Sequence, residues 1–194
     1  MYPIEYFTVD NSEITVDERE IRHRLCVSGT FDMSAFDGIL QKVRENVQAK
    51  CCFTRVPVRV TGDGVTDLGF TSVNSVHLAK NLSECSEAFV LAVTLGHGVD
   101  RLLSRLSRIS PADFFIADAV SSAVAEAVCD VSSERIKADN SCKSRFSPGY
   151  GDFDISVQRS VLDVLNAEKL LGITLTDGFL MLPQKSITAV MGII

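Results

Sequence analysis

The chain has 194 residues, 46% hydrophobic and 23% charged, with a formal net charge of -6. That length suffices for one sizeable core, and the acidic balance argues against a nucleic-acid surface, which needs a basic excess or stripe. No apolar run approaches the ~20 residues of a membrane helix. Met1-Tyr2-Pro3-Ile4-Glu5 has neither the positive n-region nor the apolar h-region of a secretory signal, so a cytoplasmic protein is expected.

The six cysteines (Cys26, Cys51, Cys52, Cys85, Cys129, Cys142) form no C-x-x-C pair, and His23, His77 and His97 are scattered. No zinc spacing arises. Reduced, buried thiols are expected, as in a cytoplasmic chain of this size.

In chain order, Tyr2 to Val9 reads as a short strand or extended arm. Thr15-Val16-Asp17-Glu18 has the capping-box pattern and predicts a helix through Ile21 and Leu25, ending near Gly29. Phe36, Ile39, Leu40, Val43 and Val47 share a face at helical spacing, which predicts a second helix from Met33 to about Gln48. The period then changes. Phe53, Val56, Val58 and Val60 predict a strand over Cys51 to Thr61, with Pro57 pointing to an edge or irregular position. Gly62-Asp63-Gly64 is a turn, Val65 to Phe70 its returning partner, and Ser75 to Leu82 a short helix.

Glu87 to Leu95 predicts a central strand, followed by Gly96-His97-Gly98 and a helix from Val99 to about Leu106. Strand, G-x-G and helix resemble the start of a dinucleotide fingerprint, but the third glycine position is occupied by Arg101 and no acidic strand end follows. A small-molecule enzyme using this loop is a competing reading. Ser110-Pro111-Ala112-Asp113 is a strong helix start, predicting a helix to about Lys137 that is rich in small residues (Ala117, Ala119, Ala123, Ala125, Ala127). Asp118 and Glu126 stand two turns apart on it. A polar connector, Ala138 to Ser144, leads to another helix from Ile155 to near Gly172, then short apolar segments around Asp177-Gly178, a loop over Pro183 to Ser186, and a closing strand from Ile187 to Ile194. Strands and helices do not alternate regularly. The expected fold class is α+β, one domain over 1–194, with a twisted, mainly antiparallel sheet flanked by helices.

One stretch stands apart: Arg145-Phe146-Ser147-Pro148-Gly149-Tyr150-Gly151-Asp152. Pro148 fixes its own φ and biases Ser147 towards extended backbone, while Gly149 and Gly151 permit positive φ. The result is a stiff, irregular loop with a guanidinium at one end and a phenol near the other. It can be a tight turn ahead of a helix or a cradle for a small polar ligand.

This run, followed by Gln158, Leu170-Leu-Gly-Ile-Thr-Leu-Thr176 and Met181-Leu-Pro-Gln-Lys-Ser186, resembles the activation (reactivation) domain of cobalamin-dependent methionine synthase. The segment Val124 to Ile136 looks like the corresponding family helix, and the resemblance covers roughly residues 110 to 192. It implies S-adenosylmethionine binding. Arg145 would sit beside the methionine part, Ser147 would offer a backbone contact to adenine, Gly149 would allow close approach, Tyr150 would line the site, and Glu126 would face the ligand's amino group. A zwitterionic cation suits such a pair of charges.

The resemblance further implies a stand-alone domain that docks on a methionine synthase lacking its own activation domain. Cobalamin would be carried by that partner, with flavodoxin or another donor returning the electron that cob(II)alamin needs. Methyl transfer from a sulfonium needs positioning more than acid–base groups, so no catalytic residue is expected. The longer family form continues past the equivalent of Ile194 and supplies another tyrosine to the ligand, so a partner is expected to complete the site. A non-catalytic regulatory protein that keeps the fold without the ligand is the alternative.

Overall fold

The computed structural model describes residues 2–26, 36–62, 64–138 and 140–194. β1 (Ile4–Thr8) leads into one 3-10 turn, Asn11–Glu13, closed by a capping box: Asp10 Oδ1 accepts from Ser12 N–H at 2.9 Å, and Asp10 N–H donates to Glu13 Oε1 at 3.1 Å. α1 (Glu18–Arg24) is capped by Asp17, whose carboxylate accepts from Arg19 N–H at 2.8 Å. The expected cap at Thr15 is therefore displaced by two residues, since a carboxylate there satisfies the orphan N–H groups and suits the helix dipole. α2 (Asp37–Asn46) buries Ile39 and Val43. The expected helix end at Gly29, the expected start at Met33 and Asp63 of the expected turn lie outside the described residues.

β2 (Lys50–Pro57) is not an edge strand: it lies between β1 and the central strand. Pro57 is tolerated because β1 pairs only with Lys50 to Thr54. Val58 N–H donates to Ser86 O at 2.8 Å, so the nitrogen of Pro57 faces the other way, past the end of β1. β3 (Arg59–Val60), β4 (Val65–Asp67) and β5 (Ser72–Asn74) make a small antiparallel sheet, of which β5 went unread in the sequence. α3 (Val76–Asn81) follows, capped by Ser75.

β6 (Glu87–Thr94) is the centre of the main sheet, ordered β1-β2-β6-β9, where β9 is the closing strand Ser186–Ile193. All its pairings are antiparallel. β6 carries no polar face. Phe89, Leu91 and Val93 enter one apolar cluster, and Ala88, Val90 and Ala92 the other, as the period of two dictates. On the first face lie α1, α2, α4 (His97–Ile109) and the 27-residue α5 (Pro111–Lys137). On the second lie α3, α6 (Val157–Val164) and α7 (Ala167–Leu171).

α5 starts as its sequence predicts, with Pro111 in the first turn and Ser110 Oγ accepting from Asp113 N–H at 3.4 Å. It packs against the sheet and against α1, α2 and α4, so its apolar residues are not confined to one stripe. Ala117, Ala123 and Ala125 let those neighbours come close. The single helix expected up to Gly172 is broken into α6 and α7, because Asn166 adopts left-handed backbone at φ 49°. Asn is among the few non-glycine residues that do so cheaply. β7 (Thr174–Leu175) and β8 (Met181–Leu182) form a short hairpin before β9.

The G-x-G run has a packing explanation. β6 is antiparallel to both neighbours, so no parallel βαβ dinucleotide unit exists around it. Gly98 sits in the first turn of α4, and a Cβ there would land on the Asn46 carbonyl oxygen, well inside van der Waals contact. Helix propensity alone would reward Gly98→Ala by roughly 1 kcal/mol. The collision is with backbone, which cannot rotate away, so overpacking wins. Gly98→Ala is expected to destabilise the protein by about 1–3 kcal/mol, read as a lower denaturation midpoint in urea at unchanged slope.

Candidate functional site

The site is built where β9 has an incompletely covered edge. β6 pairs with one side of β9. On the other side the incoming chain makes only isolated bridges, Cys142 with Ile193 and Phe146 with Val190. Phe146 and Val190 exchange two backbone hydrogen bonds of 2.9 Å, which fixes the position of Arg145 to Pro148 on the sheet. Beyond Phe146 the chain turns away. A cleft of about 370 Å³ opens there, lined by the 145–150 loop, by Glu126 from α5, by Gln158 and Met181, and by Ser186, Ile187 and Thr188 of β9.

The loop's shape follows its sequence. Gly149 has φ 92° and donates to Phe153 O at 2.7 Å, while Tyr150 N–H donates to Ser147 O at 3.1 Å. Gly151 has φ 57°, and a Cβ there would run into the His77 ring. Phe146 and Phe153 stack with centroids 6.0 Å apart. Asp152 ties the loop to α3. Its carboxylate accepts from Ser75 Oγ, from Val76 N–H at 2.7 Å and from His77 N–H at 3.2 Å. These bonds, the Ser75 hydroxyl foremost, hold its carboxyl below the usual carboxylate range.

Of the five residues singled out by the sequence, Arg145, Ser147, Tyr150 and Glu126 line the cleft. Gly149 does not. It stands behind the loop, where a Cβ would sit 3.0 Å from Ile155 Cδ1, so its demand is for backbone conformation. Arg145 Nη2 lies 2.8 Å from Asp130 Oδ1 and 3.4 Å from Glu126 Oε2, and Nη1 donates to Ser133 Oγ at 3.3 Å. Arg24 Nη2, from α1, stands 4.0 Å from Glu126 Oε1 and 2.8 Å from Glu20. Tyr150 is 65% exposed at the mouth.

Gln158 of the lining, and Asp130 and Ser133 that contact Arg145, were missed as site residues. Gln158 is buried, donating to Phe179 O at 3.0 Å and accepting from Thr188 Oγ1 at 3.4 Å. Asp130 and Ser133 were legible, since 126, 130 and 133 share one helix face at i, i+4 and i+7. The second loop is pinned independently. Lys185 Nζ donates to Asp118 at 2.7 Å and to Ser122 Oγ at 2.8 Å, and Gln184 N–H donates to the Asp100 carboxylate at 2.9 Å. No group of His, Cys, Asp and Glu among the described residues could hold a metal ion. The cysteines are unpaired, and burial pushes the thiols of Cys52 and Cys129 up to about 12.

Fold and site together define an α+β protein with a small-molecule-sized cleft at the edge of an antiparallel sheet, carrying paired opposite charges in its lining. Among solved structures, this fold is similar to that of the MetH reactivation domain, in a crystal structure bound to AdoHcy. The TM-score is 0.71 at 12% sequence identity, over 98% of this chain and 78% of that one. At that identity the likeness is one of fold. No protein-family model matches the chain, and no curated protein does. Among the described residues, no helix is long and apolar enough to cross a membrane.

The Asp152 cap gives a pH-dependent expectation. A carboxyl whose folded pKa is depressed contributes stability above its unfolded pKa, near 3.9, and loses it as pH falls through the folded value. Asp152→Asn should therefore melt at a lower temperature than the parent chain at pH 6–7. The gap between the two should narrow progressively below about pH 4. Thermal melts of both chains from pH 3 to pH 7 check this.

Proposed function

We propose that the cleft binds S-adenosylmethionine, and that the protein serves as an accessory subunit for the reductive reactivation of a cobalamin-dependent methionine synthase. The observation that carries the reading is the meeting of Arg145, Ser147 and Tyr150 of the loop with Glu126 of α5, 19 residues before Arg145, in one cleft. The likeness in fold to a reactivation domain seen with AdoHcy supports it.

The residues present fit such a ligand. A volume of about 370 Å³ lies within the usual range for small-molecule pockets. One end of the cleft has a guanidinium and a carboxylate, and the rest has Phe146, Pro148, Tyr150 and Met181 for an apolar or aromatic body. Arg145 Nη2 donates to Glu126 Oε2 at 3.4 Å and lies in an ion pair with Asp130 at 2.8 Å, so carboxylates already occupy the end of its fork. An amino-acid zwitterion resolves this by exchange. Its carboxylate replaces Glu126 on Arg145, and its ammonium replaces Arg145 on Glu126, while Asp130 keeps its hold on Arg145. The ligand supplies a sulfonium methyl. The protein's own part is to orient it at the open mouth beside Tyr150, where an acceptor carried by another protein can approach. Cobalamin is brought by that partner, a methionine synthase lacking its own activation domain, with flavodoxin or another electron donor supplying the electron.

Isothermal titration with S-adenosylmethionine and S-adenosylhomocysteine is the test. Saturable one-to-one binding is expected, weakened about 10- to 100-fold in Arg145→Ala and in Glu126→Gln, the usual size of a lost charge-assisted hydrogen bond. Absence of saturable binding by the parent chain, alone and with a cobalamin-loaded methionine synthase, sinks the reading. It would make the Glu126–Arg145 pair a strut in a non-catalytic interaction protein.

A further inference from the structure

The network around Glu126 does not end at the cleft. Its two carboxylate oxygens face opposite ways: Oε2 towards Arg145 at 3.4 Å and Oε1 towards Arg24 at 4.0 Å. Arg24 is the last residue of α1, and its Nη2 is held by Glu20 one turn earlier at 2.8 Å. Its Nε is buried with no hydrogen-bond partner. A buried N–H without an acceptor is costly. The side chain is only 33% exposed, and its charge is therefore less screened than that of a free surface arginine.

We propose that Arg24 is a positioning residue for the cleft: by holding the Oε1 side of Glu126, it keeps that carboxylate aimed into the cleft when a ligand ammonium takes the place of Arg145. The inference rests on the reading of the cleft as an S-adenosylmethionine site and goes beyond it, because it recruits α1. Without Arg24, Glu126 keeps one ion-pair partner among the described residues, Arg145. The carboxylate then follows Arg145, and the ligand has to break a tighter pair to enter. Arg24 touches no ligand in this account and lies outside the cleft lining. Glu20 sets the side chain's direction, and the order of charges from α1 to the cleft is Glu20, Arg24, Glu126, Arg145, Asp130.

The test is a double-mutant cycle read by titration with S-adenosylhomocysteine, using the full chain. Arg24→Gln is expected to raise the Kd about five-fold, the scale of a half-exposed charge pair. Arg24→Lys, which keeps the charge, should raise it less than two-fold. In a Glu126→Gln background, Arg24→Gln should have no further effect, because the residue acts through Glu126. Thermal melts report whether each variant remains folded. An unchanged Kd in Arg24→Gln overturns the inference, as does an equal loss in both backgrounds, which is the signature of a structural role. Absence of any binding by the parent chain is a different failure, that of the ligand reading itself.

Discussion

The backbone along the outer edge of β9 sets the terms for everything near the cleft. An unpaired strand edge presents N–H and C=O groups that attract other chains, and proteins cover or interrupt such edges. Here the chain returns from α5 and covers the edge only in part, through bridges at Cys142 and Phe146. The Ile194 N–H reaches Ser141 O at 2.8 Å, and Lys143 N–H reaches Gly192 O at 2.8 Å, so one end of β9 is sealed. At Pro148 continuation stops. Proline has no N–H to give a ladder, and the Gly149 and Gly151 conformations turn the chain outward. The stretch Ser186 to Thr188 is left facing a gap, and that gap is the cleft. The site is thus the place where edge protection ends.

The gap stays open because both of its walls are fastened to α5. Asp118 holds Lys185 at 2.7 Å, immediately before β9, and Glu126 meets Arg145 at 3.4 Å, immediately before the loop. Eight residues on a helix amount to about 12 Å along the axis and roughly 80° around it. That spacing lets one helix grip two separate loops from one side while its alanines pack elsewhere. The helix can do this only because it is held from several directions, by the sheet and by α1, α2 and α4. A helix with a single apolar stripe would leave these acids solvated.

Sequence periodicity was most informative where burial is strongly patterned. β6, α5 and β9 were legible to within a residue or two, since two-sided burial leaves a long apolar run and a Ser-Pro-x-Asp cap has few other uses. The failures are also physical. Asn166 broke the helix between Ile155 and Gly172 through a single left-handed residue, and nothing in the surrounding apolar pattern announces it. β5 is only three residues long, too short for a period to be seen. Asp10-x-x-Glu13 was overlooked as a capping box, although it carries the same signal read at Thr15. At the site, Arg145 and Glu126 were visible through resemblance and charge logic. Asp130 and Ser133 follow from helix geometry once Glu126 is chosen. Arg24 could not be found that way, because its approach to Glu126 is tertiary: 102 positions of chain separate them, and only the packing of α1 on α5 brings them together.

The charges in this region are satisfied among themselves, which taken alone argues for a cleft closed to ligands. The degree of exposure argues the reverse. The side chain of Asp130 is 70% exposed and that of Glu126 38%, with Arg145 at 24%. Pairs of this kind contribute about 0–1 kcal/mol, because water competes for both partners. A fully buried pair would resist separation by several times as much, and splitting it would strand a charge. Half-exposed pairs in alternating order can instead exchange partners one at a time, with each charge keeping a neighbour of opposite sign throughout. An amino-acid zwitterion inserted between Glu126 and Arg145 extends the alternation by two charges and leaves no member unpaired. The arrangement therefore costs little to open, and under the proposed reading it would favour a ligand that carries an ammonium and a carboxylate at adjacent positions.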